Sequence, residues 1–210
     1  MKAKTLQNLL FSIRLVKRQD LDRLANILAI SFYDFTEFSD LTQSFTQWFT
    51  TWFKPLIRWS IALDLRSRLL DLNPRYACFV ATSSDRIDRS DQIIATLEIS
   101  LRHVPHRSTN LSSYIFLLNW NSCEHPYLSN LAVDPPYRRQ GAAQQLILAA
   151  EQMAGRWGFE QIYLHVLENN YPALQLYYNQ GYQLYKVDTD FSSWLFQSPR
   201  RFLLRKLLKS

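Results

Sequence analysis

Glycine is the residue this chain largely does without. Four occur in 210 residues, Gly141, Gly155, Gly158 and Gly181, and none precedes position 141. A backbone loop that wraps a nucleotide phosphate needs several glycines at fixed offsets. Neither G-x-G-x-x-G nor G-x-x-x-x-G-K-[ST] is therefore available. Gly/Ser linkers and collagen-like repeats are excluded on the same ground. Any phosphate chemistry has to rest on a single glycine and the start of a helix.

The apolar share is 47% and the aromatic share 14%, enough side chain for a large core and too much for a disordered chain. The length fits one domain over 1–210. No apolar run approaches the roughly 18 residues of a membrane span. Leu9-Leu10-Phe11 is too short for the apolar part of a signal peptide, so the chain reads as cytoplasmic. A net charge of +6 favours acidic partners. Lysine and arginine do not cluster in long runs, so nucleic acid is not the expected partner; a steep salt dependence of binding would mark the opposite case. Cys78 and Cys123 lack histidines at ligand spacing and read as neutral thiols, with no metal site.

Residues 12–16 alternate as a strand. Gln19-Asp20 offers a helix cap before Leu21, Leu24, Ile27 and Leu28, which recur at helical spacing. Phe45, Trp48, Phe49, Trp52, Phe53 and Leu56 form one face of an amphipathic helix, broken or kinked near Pro55. This stripe reads as core, as the lining of a substrate groove, or as a contact in a homodimer. Residues 61–72 continue helically. Strands are expected at 76–81, 93–101, 127–133, 162–166, 182–185 and 201–205. The stretches 83–91 and 102–123 read as loops. Ala142 to Trp157 predicts a helix ended by Gly158, and Ala173 to Tyr178 a short helix closed by Gly181.

From 127 to 182 three pieces follow in order. A strand ends in Leu131-Ala132-Val133. The turn Tyr137-Arg138-Arg139-Gln140-Gly141-Ala142-Ala143 then opens a helix. A further strand leads into Asn170, Ala173, Leu176-Tyr177 and Gly181-Tyr182. A helix start leaves its first amides without partners and favours an anion on its axis. Gly141 does not obstruct close approach, Ala142 and Ala143 stay small, and Arg138 and Arg139 add charge. The turn has the makings of a pyrophosphate seat.

This arrangement resembles the GNAT superfamily of acyl-CoA-dependent N-acyltransferases. The pattern Q/R-x-x-G-x-G/A is met by Arg138-Arg139-Gln140-Gly141-Ala142-Ala143, and N-x-x-A-x-x-L-Y-x-x-x-G-[FY] by Asn170 to Tyr182. The match is close over 127–185 and looser over 12–30 and 76–101. It implies an α/β fold with a mixed, mostly antiparallel sheet, splayed at its middle and flanked by helices. It implies acetyl-CoA as donor. Backbone groups of Leu131, Ala132 and Val133 would hold the pantetheine arm. The amides of Arg139, Gln140, Gly141, Ala142, Ala143 and Gln144, with Arg138 nearby, would hold the pyrophosphate. Asn170, with Tyr171 and Pro172 beside it, would bind the CoA arm, and Tyr177 would protonate the leaving thiolate.

Tyr127 and Leu164-His165-Val166 are similar to positions in N-terminal protein acetyltransferases. There His165 and Tyr127 would relay the amine proton; packed core residues are the other reading, and Glu98 is an acidic alternative base. The chain also resembles plastid and cyanobacterial GNAT proteins that acetylate protein lysines and N-termini. The expected partner is thus a protein or peptide amine. A small amine, or a module that binds CoA or RNA without catalysis, is the alternative. By the same resemblance 31–75 is an enlarged helical segment on the acceptor side, 186–200 a loop of the acceptor wall, and 1–10 a short extension.

Overall fold

The computed structural model describes residues 11–32, 59–68, 73–84, 91–104, 124–188 and 199–208. In chain order these carry β1 (Phe11–Leu15), α1 (Leu21–Phe32), a helical run over 59–68 (α2), β2 (Tyr76–Ser84), β3 (Asp91–His103) and β4 (Glu124–Val133). α3 (Ala142–Arg156), β5 (Gln161–Leu167), α4 (Tyr171–Asn179), β6 (Gln183–Asp188) and β7 (Arg201–Leu207) follow. The strands hydrogen-bond in the order β1-β2-β3-β4-β5-β7-β6. β1 with β2, β5 with β7 and β6 with β7 are antiparallel, while β4 with β5 is parallel. This is the α/β architecture expected: a mixed, mostly antiparallel sheet with flanking helices.

The chain divides into two compact units. One comprises Met1–Glu98 and Asn130–Ala149, the other Ile99–Ser129 and Ala150–Ser210. In the first, Leu21, Leu24, Ile27 and Leu28 of α1 pack with Leu65 of α2, Cys78 and Val80 of β2, Ile93 of β3 and Ala132 of β4. Each large side chain buried there contributes about 1.5–3 kcal/mol. Burial pushes the Cys78 thiol up to about 12, so it stays neutral, as its setting in an apolar core requires. In the second unit Val104, Tyr127, Tyr163 and Leu203 form the core, with Tyr185 against them. There Lys206 of β7 donates to both Glu151 oxygens, at 2.8 and 2.7 Å, and ties down the end of α3.

Several element boundaries differ from those expected. A single 3-10 turn, Arg18–Asp20, precedes α1, and Asp20 does not cap forward. Its buried carboxylate reaches back to accept from Lys17 N at 2.7 Å and from Arg14 Nη1 at 2.6 Å. β2 and β3 run to Ser84 and from Asp91, so polar residues at 83, 84 and 91 belong to strands rather than to the loop. β3 likewise continues through Arg102 and His103. β4 starts at Glu124, ahead of the expected start at Tyr127, and passes through Pro126, which has no N–H to give the ladder. α4 starts at Tyr171, with Pro172 in its first turn, where a missing N–H costs nothing. β6 extends to Asp188, so Lys186–Asp188 are strand and not wall loop. The Phe45–Leu56 stripe, residues 1–10 and Cys123 lie outside the described residues.

Candidate active site

In the first unit, β4 delivers the turn. Asp134 at its end donates its N–H to Ile94 O at 2.8 Å, and its carboxylate pairs with Arg23 of α1. Pro135–Tyr137 form a 3-10 turn, from which the Tyr137 hydroxyl donates to Gln92 Oε1 at 3.1 Å. The chain then takes two left-handed residues, Arg139 (φ 64) and Gly141 (φ 93). Only glycine adopts the second without strain. Gln145 N donates to Gly141 O at 3.2 Å, which makes Gly141 the cap of α3. The amides of Ala142, Ala143 and Gln144 therefore precede the first intrahelical bond and have no partner within the helix. Aligned N–H groups beside left-handed residues form a concavity suited to an anion.

Arg138 and Arg139 are both exposed, but they differ in engagement. Arg138 Nε donates to Val133 O at 3.1 Å, so its side chain folds back on the strand end. Gln140 Nε2 donates to Pro136 O at 3.2 Å and braces the turn. Leu131 and Val133 are half-buried and Ala132 is buried in the core. Just before them Asn130 is left-handed at φ 53, which interrupts the extended strand. Its Nδ2 donates to Glu98 Oε1 at 2.7 Å, and Arg68 Nη1 donates to Glu98 Oε2 at 3.2 Å. Glu98 is thus a buried carboxylate that holds the bend of β4. Both its oxygens are engaged, which argues against its use as a base.

The second unit holds Tyr127, His165 and Asp188. Tyr127 of β4 stands opposite Tyr163 of β5 in register, and Leu128 opposite Leu164. His165 of β5 meets two partners. Its Nδ1 lies 2.7 Å from the Tyr127 hydroxyl and its Nε2 lies 2.8 Å from Asp188 Oδ2. A carboxylate accepts only, so Nε2 carries the hydrogen and Tyr127 donates to Nδ1. Burial lowers the His165 imidazole below its ordinary value; Arg201 and Arg102 push the same way, and Asp188 opposes them. The ring is therefore neutral near pH 7 and free to take a proton. Burial raises the Tyr127 phenol, partly offset by Arg102 and Arg201. The Arg102 guanidinium lies 4.5 Å from the centre of the Tyr127 ring.

Tyr177 is buried in α4, with its ring edge-on to Tyr182 at 5.7 Å. Burial pushes its phenol well above the ordinary value, so it keeps its proton at every working pH. Gly181 (φ 86) ends the helix, and Tyr182 N donates to Tyr177 O at 3.0 Å across it. Asn170 is the cap of α4, and its Oδ1 accepts from Ala173 N at 3.2 Å. That bond uses the oxygen and leaves the exposed amide NH2 for a ligand. Tyr171 and Pro172 beside it are exposed.

Three residues of this unit escape a reading of the sequence: Asp188, Arg102 and Arg201. The strand order β5-β7-β6 brings Asp188 to His165 across an intervening strand, although the two are far apart in the chain. Asp188 stands opposite Arg201, Arg201 opposite Leu167, and His165 opposite Leu203. Directly paired residues share a sheet face. No alternation along β6 signals Asp188, because a register shift between Leu184 and Lys186 changes the face that the following residues share.

Residues 37–182 match the Acetyltransferase (GNAT) family. The chain belongs to this family. GCN5-related N-acetyltransferase 10, chloroplastic, of Arabidopsis thaliana is 28% identical to it over 134 residues, 63% of this chain and 49% of that protein. The GNAT chain is also similar to solved structures. Arabidopsis thaliana NAA60 in complex with acetyl-CoA superposes with a TM-score of 0.60 at 17% identity, over 96% of this chain and 100% of that one. PaiA N-acetyltransferase from Thermoplasma acidophilum in complex with coenzyme A gives 0.59 at 17% identity, over 94% and 99%. At such identities the likeness is one of fold. The GNAT chain spans about half, or less, of the length of the curated plant relatives it matches.

The relatives numbered 4, 5, 6, 7 and 10 are all named chloroplastic. That overturns the cytoplasmic expectation. The expectation rested on the want of a long apolar run, which does not say which compartment a chain occupies. Among the described residues no helix is long and apolar enough to cross a membrane, and no group of three or more His, Cys, Asp or Glu could hold a metal.

Proposed function

We propose that this GNAT protein moves the acetyl group of acetyl-CoA to a protein amine, an N-terminal α-amine or a lysine side chain. The observation that carries the reading is the hydrogen bond between Tyr127 and a neutral His165, 2.7 Å long. It supplies what an alkylammonium acceptor lacks, a nearby base with an unprotonated ring nitrogen, reached through the Tyr127 hydroxyl. Further support comes from the unpartnered amides of Ala142, Ala143 and Gln144, which suit the pyrophosphate of the donor together with Arg139, Gln140 and Gly141.

The remaining roles are assigned residue by residue. Leu131, Ala132 and Val133 offer backbone groups to the pantetheine arm, and an amide near Val133 faces the oxyanion that forms when the amine attacks the thioester. Asn170, flanked by Tyr171 and Pro172, binds the CoA arm through its amide NH2. The acceptor ammonium passes a proton to the Tyr127 oxygen, directly or through water, as Tyr127 gives its own to His165 Nδ1. The positive charge moves from the amine to the imidazole, and the free amine attacks. Tyr177, held protonated by burial, delivers its proton to the leaving thiolate. We place acceptor choice in 31–75, treating 1–210 as one GNAT domain.

The test is CoA release from acetyl-CoA in the presence of peptides with free or blocked N-termini, beside small amines. Release with free N-termini or lysines is expected. Release with small amines alone would move the acceptor to a polyamine, amino sugar or amino acid. Tight CoA binding without release in any mixture would make the chain a binding module.

A further inference from the structure

We propose that Asp188 is the positioning residue of the proton relay: it fixes His165 as the Nε2–H tautomer and so holds the basic Nδ1 toward Tyr127. This rests on the relay reading of the preceding subsection. A neutral imidazole has one N–H and one lone pair, and the groups at its two ends decide which nitrogen has which. At one end stands Asp188 Oδ2, 2.8 Å from Nε2, which can only accept. At the other stands the Tyr127 hydroxyl, 2.7 Å from Nδ1, which can donate or accept. Without the carboxylate the opposite tautomer is equally satisfied, with Nδ1–H donating to Tyr127. In that state the relay has no vacant nitrogen where the proton arrives.

The carboxylate is itself held. Lys186 Nζ lies 3.2 Å from Asp188 Oδ1, so the oxygens divide between Lys186 and His165. Burial raises the Asp188 carboxyl, but the hydrogen bonds from His165 and Lys186 outweigh it and keep it ionised. The groups facing the ring from neighbouring strands are Tyr127 of β4, Arg102 of β3, Arg201 of β7, and Asp188 with Lys186 of β6. The two arginines disfavour the imidazolium that forms when the amine proton arrives. Asp188 stabilises it and takes no proton itself, the division of labour seen in Ser-His-Asp sites.

The experiment compares wild type, D188N and D188E by the pH dependence of acetyl transfer and by 15N NMR of the histidine ring nitrogens. For D188N we expect a fall in kcat of at least about 10-fold, the lower end of the loss when a metal-bound histidine is deprived of its orienting partner. The KM for acetyl-CoA should stay within about twofold, since no donor contact is altered. The acid limb should move to lower pH, because a charge that favours the imidazolium is gone. The His165 signals should change from one Nε2–H tautomer to a mixture, and D188E should restore part of the rate. An unchanged rate and tautomer in D188N would overturn the proposal, as would an Nδ1–H ring in the wild type, which needs no variant to fold. H165A separates the two claims. If H165A keeps the wild-type rate, the relay reading fails, while the NMR result still decides whether Asp188 sets the tautomer.

Discussion

Removing the His165 imidazole should hurt most where the acceptor amine is most protonated. A protein α-amine of pKa about 8 is roughly 10% free base at pH 7 and about 90% at pH 9. If His165→Ala leaves only that pre-existing free base to react, the loss is about tenfold at pH 7 and nearly vanishes at pH 9. A lysine of pKa about 10.4 follows the same law with a different range: about a thousandfold or more at pH 7, and still roughly 25-fold at pH 9. The wild-type imidazole remains a competent base throughout, because burial and the flanking arginines lower it. The assay is the initial rate of CoA release at saturating acetyl-CoA, at pH 7, 8 and 9, with a free N-terminal peptide and with an N-blocked lysine peptide. Thermal melts accompany it. The substitution strips a partner from the buried Tyr127 and the half-buried Asp188, at a cost of about 1–3 kcal/mol. A loss equal at all three pH values would refute the reasoning and leave His165 a packing residue.

Tyr177→Phe keeps the ring edge against Tyr182 and removes only the proton donor, so turnover should fall about 10- to 100-fold while CoA affinity by calorimetry stays within about twofold. Gly141→Val puts a branched side chain at φ 93, a strain of about 1–3 kcal/mol. It should also weaken CoA binding more than about tenfold by displacing the amides that follow. Gly155→Ala, in a helix with nothing within 4 Å of the new methyl, should raise stability by about 0.5–1 kcal/mol in a denaturant melt. Asn130→Ala leaves Glu98 with one fewer donor and sets alanine at φ 53, where asparagine is better tolerated. A loss of about 1–3 kcal/mol is expected from the same kind of melt.

Local signals were legible and diagonal ones were not. The Arg138–Ala143 turn follows from one glycine before an apolar helical stripe, and the structure places Gly141 as the cap with free amides after it. The α4 start is also local, though Asn170 acts first as its cap. Strand ends run past the apolar stretches because backbone groups make the ladder: Ser83 is buried and pairs with Phe11, and β4 begins at Glu124. Asp188 is hidden in the sequence for a different reason. Its meeting with His165 depends on β7 lying between β5 and β6, and no spacing along the chain encodes that. Glu98 reads in the sequence as an alternative base, yet its two oxygens are taken by Asn130 and Arg68, partners that only the fold brings to it.

The central claim is that acetyl leaves CoA for a protein amine. Isotope-labelled acetyl-CoA, incubated with peptides that carry a free N-terminus, a lysine or both, tests it directly by tandem mass spectrometry. The account predicts labelled acetyl on the α-amine or on the lysine Nζ, in step with CoA release and reduced in the Tyr177→Phe protein. Unlabelled peptides beside acetylated small amines, or beside intact acetyl-CoA bound to the protein, would contradict it.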